Sequence, residues 1–236
     1  AVTTASYLLP DRYAATGVGF GFLLATYVLV LRGDDRHIRA FGLSLGGLLE
    51  PGPLEPRRLA RDARHAVLWA LGLAAVLFPP FWIGFAWWWA PRHPFVWMPP
   101  ASPLDEVLGQ LLVIALPEEA FYRGYVHTAL RDALHRRQPA SGQALQPPPT
   151  SSSGTTPHRL NLLRADVGWE IPLTSALFAA GHVLTEPHPN RLAVFFPALV
   201  FGWLRARTGG IGAPLLLHAL ANLFSATLGR GYGLFS

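Results

Sequence analysis

The 236-residue chain contains no cysteine, which excludes disulfides, thiolate metal ligands and a cysteine nucleophile. Charge is scarce as well. Asp, Glu, Lys and Arg together make up 14% of the residues, against about 25% in an ordinary soluble domain. That scarcity excludes both a conventional soluble globule and a disordered chain, which needs polar residues to stay solvated. Lysine is absent, so all 19 basic residues are arginine, a usage that suits a GC-rich bacterial gene. The net charge of +5 does not point to nucleic acid, because no basic run alternates with aromatics as a binding strip would.

What the chain has instead is apolar sequence in long blocks, 51% of it hydrophobic. The pattern predicts an all-α fold, a polytopic transmembrane helical bundle whose natural partner is the lipid bilayer. A crossing helix needs about 20 apolar residues, each advancing about 1.5 Å through roughly 30 Å of hydrocarbon. Residues 13–31 form the first candidate, uncharged between Arg12 and Arg32, with Gly17, Gly19 and Gly21 suited to close helix approach. No basic segment or small-residue exit marks it for cleavage, so it is expected to be retained. Block 66–90 is broken by Pro79-Pro80, so a kinked span or a span plus an interfacial turn is expected; Trp87, Trp88 and Trp89 at its end suit an aromatic belt. Further spans are expected from about Leu104 towards Arg131 and over 171–184, 192–204 and 211–228. The count is six, rising to seven or eight if the broken block divides or the short apolar stretch 41–49 enters the bilayer.

The whole of 1–236 is expected to form one integral membrane domain. Its N-terminal spans occupy 1–103, its motif-bearing core 104–228, and a flexible polar loop 138–165, rich in Pro, Ser, Thr, Gly and Gln, interrupts that core. Arginine placement agrees with six spans: 14 arginines fall in the first, third and fifth connections against 4 on the other side, with Arg123 inside a span. By the positive-inside rule the arginine-rich connections face the cytoplasm, which implies a multi-pass cell-membrane protein, in a bacterium an inner-membrane one.

Ionisable and amide side chains inside spans are costly and mark function. Glu118, Glu119 and Arg123 lie in the third span, His182 in the fourth, His218 and Asn222 in the last. Glu119 and Arg123 are four residues apart, one turn, and can pair. Glu118 is turned roughly 100° from Glu119, which frees it to face another partner, and Pro117 loosens the helix just before it. His218 and Asn222 share a face, as do Phe178 and His182. A carboxylate near an imidazole in a low-dielectric cavity can activate water as a general base. A second imidazole with an amide N–H can stabilise the oxyanion formed when that water attacks a peptide carbonyl.

Three segments, Glu118-Glu119-x-x-x-Arg123, Phe178-x-x-x-His182 and His218-x-x-x-Asn222, in this order on separate spans, resemble the three motifs of the CPBP family. That family, also called Abi, comprises CAAX prenyl proteases, bacteriocin-processing enzymes and their relatives. The resemblance covers about residues 104–228. It implies an intramembrane glutamate-dependent endopeptidase that needs no metal or other cofactor. Glu118 and His182 would orient and activate the water, His218 and Asn222 would form the oxyanion site, and Glu119 and Arg123, with Phe178, would shape and charge-balance the cavity. A bacterial member would process the leader or C-terminal segment of a membrane-associated or exported protein.

Two rivals remain open on these residues. A zinc metalloprotease could ligate metal through Glu118, His182 and His218, although H-E-x-x-H is absent. A non-enzymatic scaffold or transporter would use the same polar groups for partner binding or proton relay. Gly42-Leu43-Ser44-Leu45-Gly46 fits G-x-S-x-G, but its setting between spans lacks the strand a nucleophile elbow requires. The histidines at 37, 65, 93, 127, 135, 158 and 188 are expected to be solvated or interfacial.

Overall fold

The computed structural model describes residues 10–136 and 159–234. Helix α1 (Asp11–Thr26) continues through a π-helical turn, Tyr27–Leu31, and is followed by the short α2 (Asp35–Ala40). The long α3 (Pro56–Trp89) comes next. Residues 103–136 then form one uninterrupted helical run in which α4 (Pro103–Leu108), α5 (Leu116–Glu119) and α6 (His127–Arg136) alternate with π-helical segments Gly109–Ala115 and Ala120–Val126. A hairpin of β1 (Leu160–Leu162) and β2 (Ala165–Val167) leads into α7 (Glu170–Thr185), α8 (Phe195–Thr208) and α9 (Gly212–Gly231). The fold is all-α, with helices where apolar blocks predicted them. Among the described residues three helices are long and apolar enough to cross a membrane: Tyr13–Leu31, Pro56–Trp89 and Gly212–Gly231.

Several boundaries differ from expectation. Helix α3 runs unbroken through Pro79 and Pro80 and starts at Pro56, ten residues before the apolar block, so a single continuous helix stands where a span plus an interfacial turn was the alternative. Proline in a helix removes backbone hydrogen bonds, and neighbouring helices can compensate within a bundle. Here aromatic packing brackets the two prolines: Phe224 of α9 stacks on Phe78 at 4.4 Å and meets Phe81 and Trp82 at 6.1 and 6.2 Å. The polar loop is also shorter than expected at its C-terminal end, because Leu160–Leu162 pairs antiparallel with Ala165–Val167 around a turn in which Leu163 and Arg164 take positive φ. Its remainder, 138–158, lies outside the described residues.

The apolar stretch 41–49 is packed into protein and forms no further crossing helix. Only Leu45–Gly47 is helical, as one 3₁₀ turn. Leu43 is fully buried and abuts Gly124, where an added Cβ would come within 2.7 Å of its side chain. The Gly42 carbonyl accepts a hydrogen bond from Ile211 N at 3.0 Å, and the Arg205 guanidinium lies against Gly42, whose φ of +69° suits glycine. Ser44 accepts from Arg58 and from Gly47 N and follows α2, so the G-x-S-x-G sequence has no strand before it.

The same loop is fastened at its far end by Glu50, which accepts from Arg39 Nε at 2.9 Å and from Arg58 at 2.6 and 2.8 Å. Hydrogen bonds from Arg39 and then Arg58 hold its carboxyl well below the ordinary carboxylate range. A depressed folded-state value means that the interaction stabilises the protein fully above the ordinary 4.5 and is lost as pH falls below it.

The motif helix is distorted where α1 meets it. Proline at 117 has no N–H, so in a regular α-helix the Val113 carbonyl, four residues earlier, would lack its donor. Gly19 of α1 lies at that oxygen and against the Pro117 ring; an added Cβ would sit 2.6 Å from the oxygen and 3.3 Å from the ring. Phe22, one turn on, packs on Phe121 and Tyr122 with centroids 4.9 and 5.4 Å apart. The first helix thus buttresses the segment that carries the paired glutamates.

Two measurements check this scheme. Gly19→Val should force α1 off the motif helix and lower stability by about 1–3 kcal/mol, the usual cost of overpacking, read as a reduced melting temperature in detergent. Glu50→Gln should lower the melting temperature at pH 7, and the difference from the native protein should narrow as pH falls below 4.5.

Candidate active site

Both carboxylates of α5 reach the same histidine of α9. Glu119 Oε1 lies 2.9 Å from His218 Nδ1 and 3.0 Å from Arg123 Nη1. An ionised carboxylate only accepts, so Nδ1 carries a proton and Nε2 is directed elsewhere. That nitrogen lies 3.7 Å from Glu118 Oε2, a buried oxygen with no hydrogen-bond partner. The offset between adjacent helical residues thus lets one imidazole lie between two carboxylates, each at a different ring nitrogen.

Arg123 and Glu119 are both completely buried. One turn of helix separates them, as their spacing predicted, and the guanidinium is further held by packing from other helices. Its Nη2 donates to the Ala198 carbonyl of α8 at 3.2 Å. Its Cζ lies 4.4 Å from the Phe178 ring centroid and 5.2 Å from that of Phe201. Aromatic faces attract a cation, so α7 and α8 both solvate a charge that water does not reach.

Phe178 organises the other side of the site. His182, one turn along α7, packs on it at 4.5 Å, and His218 approaches its ring at 5.9 Å in an edge-on arrangement. His182 Nδ1 lies 3.0 Å from the Phe178 carbonyl; a carbonyl oxygen can only accept, so Nδ1–H donates and the Nε2 lone pair stays available. His218 is stacked on Phe201, centroids 5.0 Å apart and planes 17° apart. Asn222, one turn beyond His218, donates from Nδ2 to Gln110 Oε1 at 3.0 Å.

Glu118, Glu119, Arg123 and His218 therefore form one linked set, and His182 joins it through Phe178. Asn222 follows His218 on α9, anchored to the π-helical segment before the glutamates. The π-helical turns on either side of α5 are a common distortion at functional sites. Among the described residues, no three His, Asp or Glu side chains are grouped so as to hold a metal ion. His127, expected to be solvated or interfacial, is instead packed inside the protein at 2% exposure; it opens α6 on the buried side of the run. The side chain of His135, and His158, lie outside the described residues.

Sequence inspection passed over Gln110, Tyr122 and Phe201. Gln110 carried a signal, since it is an amide inside an apolar block eight residues before Glu118. Tyr122 packs edge-on against Phe178 at 5.1 Å, and its hydroxyl fits against α7 because residue 181 is glycine: a Cβ there would lie 2.7 Å from the oxygen. Phe201 carried no signal, being one of several phenylalanines on an apolar helix.

A family model described as type II CAAX prenyl endopeptidase Rce1-like matches residues 100–224, a stretch that contains all of these side chains except Phe22 and Gly19 of the buttress. No curated protein and no solved structure matches the chain.

Removing one member of a buried ion pair strands the other charge, at about 3–5 kcal/mol, whereas replacing both by apolar groups is often neutral. Arg123→Met should accordingly lower the melting temperature in detergent sharply. The double variant Glu119→Leu/Arg123→Met should recover much of that loss; equal loss in both would show that the charges are not coupled.

Proposed function

The chain belongs to the type II CAAX prenyl endopeptidase Rce1-like family, and from that premise we propose that it hydrolyses a peptide bond with water activated by Glu118 and His182. The observation that carries this proposal is the Glu118 carboxylate: its side chain is 15% exposed, and its Oε2 is buried, unpaired and 3.7 Å from an imidazole nitrogen. Glu119 Oε2 is buried without a partner too, but Glu119 is held by Arg123 and His218 through Oε1. A carboxylate approached only at 3.7 Å is, by contrast, costly to bury for structure alone. That suits a group whose partner is a reacting water.

In the proposed reaction Glu118 removes a proton from water while the His182 Nε2 lone pair accepts the water's other proton in a hydrogen bond. The water oxygen forms a bond to the peptide carbonyl carbon, and the carbonyl becomes an oxyanion. His218, doubly protonated, donates Nδ1–H to Glu119 and Nε2–H to that oxyanion, joined by an N–H of Asn222. As the tetrahedral intermediate collapses, the C–N bond breaks and Glu118 returns its proton to the departing amine. Glu119 and Arg123 keep His218 oriented throughout. Placement of His218 and Asn222 in a helix long and apolar enough to cross a membrane suits a substrate that is itself membrane-bound, and a multi-pass protein of a bacterial inner membrane would process the leader or C-terminal segment of an exported protein.

The test uses the purified protein in lipid nanodiscs with a fluorogenic farnesylated CAAX peptide and a panel of exported-protein leader peptides. Cleavage of at least one probe is expected. Glu118→Gln should reduce it by about 10²–10⁴-fold, the range of a general base, without changing the melting temperature by more than a few degrees. Native-like turnover by E118Q would overturn the assignment, and failure of the native protein to cleave any probe would favour a non-enzymatic scaffold.

A further inference from the structure

The seam between the motif helix and α9 has polar rungs that lie outside the three motifs. At one end Arg230 Nη1 donates to Glu106 Oε1 at 2.8 Å, with side chains 26% and 18% exposed. One turn further along the motif helix, Gln110 Oε1 accepts from Asn222 Nδ2 at 3.0 Å. Beyond that, the glutamates meet His218. The chains run antiparallel, so residue numbers rise on one side of the seam (106, 110, 118, 119) as they fall on the other (230, 222, 218). The outermost rung pins the register of the two helices, and the middle rung sits between that pin and the candidate catalytic groups.

An asparagine amide can present either its oxygen or its NH₂ to a given direction, with little difference in shape. Only the NH₂ end can donate to an oxyanion. With Gln110 Oε1 towards it, Asn222 presents its NH₂ end: one N–H is used by Gln110, and the second stays on the same nitrogen. The π-helical segment Gly109–Ala115 begins one residue before Gln110.

We infer that Gln110 is a positioning residue that fixes the amide orientation of Asn222 through its Oε1, and that the Glu106–Arg230 pair holds the register this contact requires. The inference rests on the proposed role of Asn222 at the oxyanion, and it concerns a residue that does not itself touch the reacting atoms.

Two variants separate the acceptor from mere bulk. Gln110→Met keeps length and removes the acceptor; Gln110→Glu keeps an oxygen where Asn222 needs one. With the farnesylated peptide or whichever leader probe the native protein cleaves, Gln110→Met should lower kcat by about tenfold, a fraction of the 10²–10³ lost with a whole oxyanion donor, and leave KM unchanged. Gln110→Glu should restore most of it. In an Asn222→Ala background, Gln110→Met should cause no further loss, since residues acting as one unit are not additive.

A second readout does not depend on turnover. The chain has three asparagines, at 161, 190 and 222, so ¹⁵N-asparagine labelling resolves the Asn222 side-chain amide. One of its protons should be protected from exchange in the native protein and in Gln110→Glu, and unprotected in Gln110→Met. Native kcat in Gln110→Met, or an Asn222 amide indifferent to that change, would overturn this inference while leaving an inactive E118Q, and the catalytic assignment, intact. Native-like turnover in E118Q, or none in the native protein, would instead remove the catalytic assignment and this inference with it.

Discussion

The buried Glu119–Arg123 pair is the constraint around which the rest of the site is arranged. Two opposite charges with no exposure to water are costly to bury and draw further partners from the protein around them. Arg123 draws on the Ala198 carbonyl and the faces of Phe178 and Phe201, and Glu119 Oε1 on His218 Nδ1, while Arg123 Nε and Nη1 and Glu119 Oε2 are buried without a hydrogen-bond partner. Those partners come from three helices, α7, α8 and α9. Satisfying one ion pair therefore fixes the approach of α7, α8 and α9 to the motif helix, and it brings His218 to the neighbouring Glu118 in the same step.

A second constraint is the distortion of the motif helix. Two π-helical segments bracket the one α-helical turn that holds Pro117, Glu118 and Glu119. Proline accounts for part of this, since it removes a backbone donor at that turn. Gly19 then uses the space beside the Val113 carbonyl, and Leu43 occupies the space that Gly124 leaves. The elements that support the site from behind are thus the first helix and a buried loop, both from the half of the chain that carries none of the motifs. Glu50, gripped by Arg39 and Arg58, secures the far end of that loop.

Much of this was legible in the sequence, and the reason is locality. Apolar block length depends on the thickness of hydrocarbon and on helical rise, both of which are independent of neighbours. The pairs Glu119–Arg123 and Phe178–His182 follow from the helical repeat alone, and the structure shows both in contact. The choice between a continuous α3 and a turn at Pro79-Pro80 was not legible, because it involves packing from Phe224, 144 positions on from Pro80 by number. The burial of 41–49 was missed for a related reason: nine apolar residues are too few to cross a bilayer, and hydropathy carries no information about a cavity between other helices.

The amino-acid sequence alone determined a membrane-embedded helical chain, the membership of six unusual polar residues in three helical turns, and the family they resemble. These properties are set by composition and by contacts within one turn. Tertiary structure alone decided which nitrogen of His218 faces which glutamate, that Phe178 and Phe201 enclose Arg123, and that Gln110 holds Asn222. Those outcomes depend on the relative rotation and register of whole helices. Helix rotation and register follow from the shapes of packed side chains far apart in sequence, and no periodicity within a single segment encodes them.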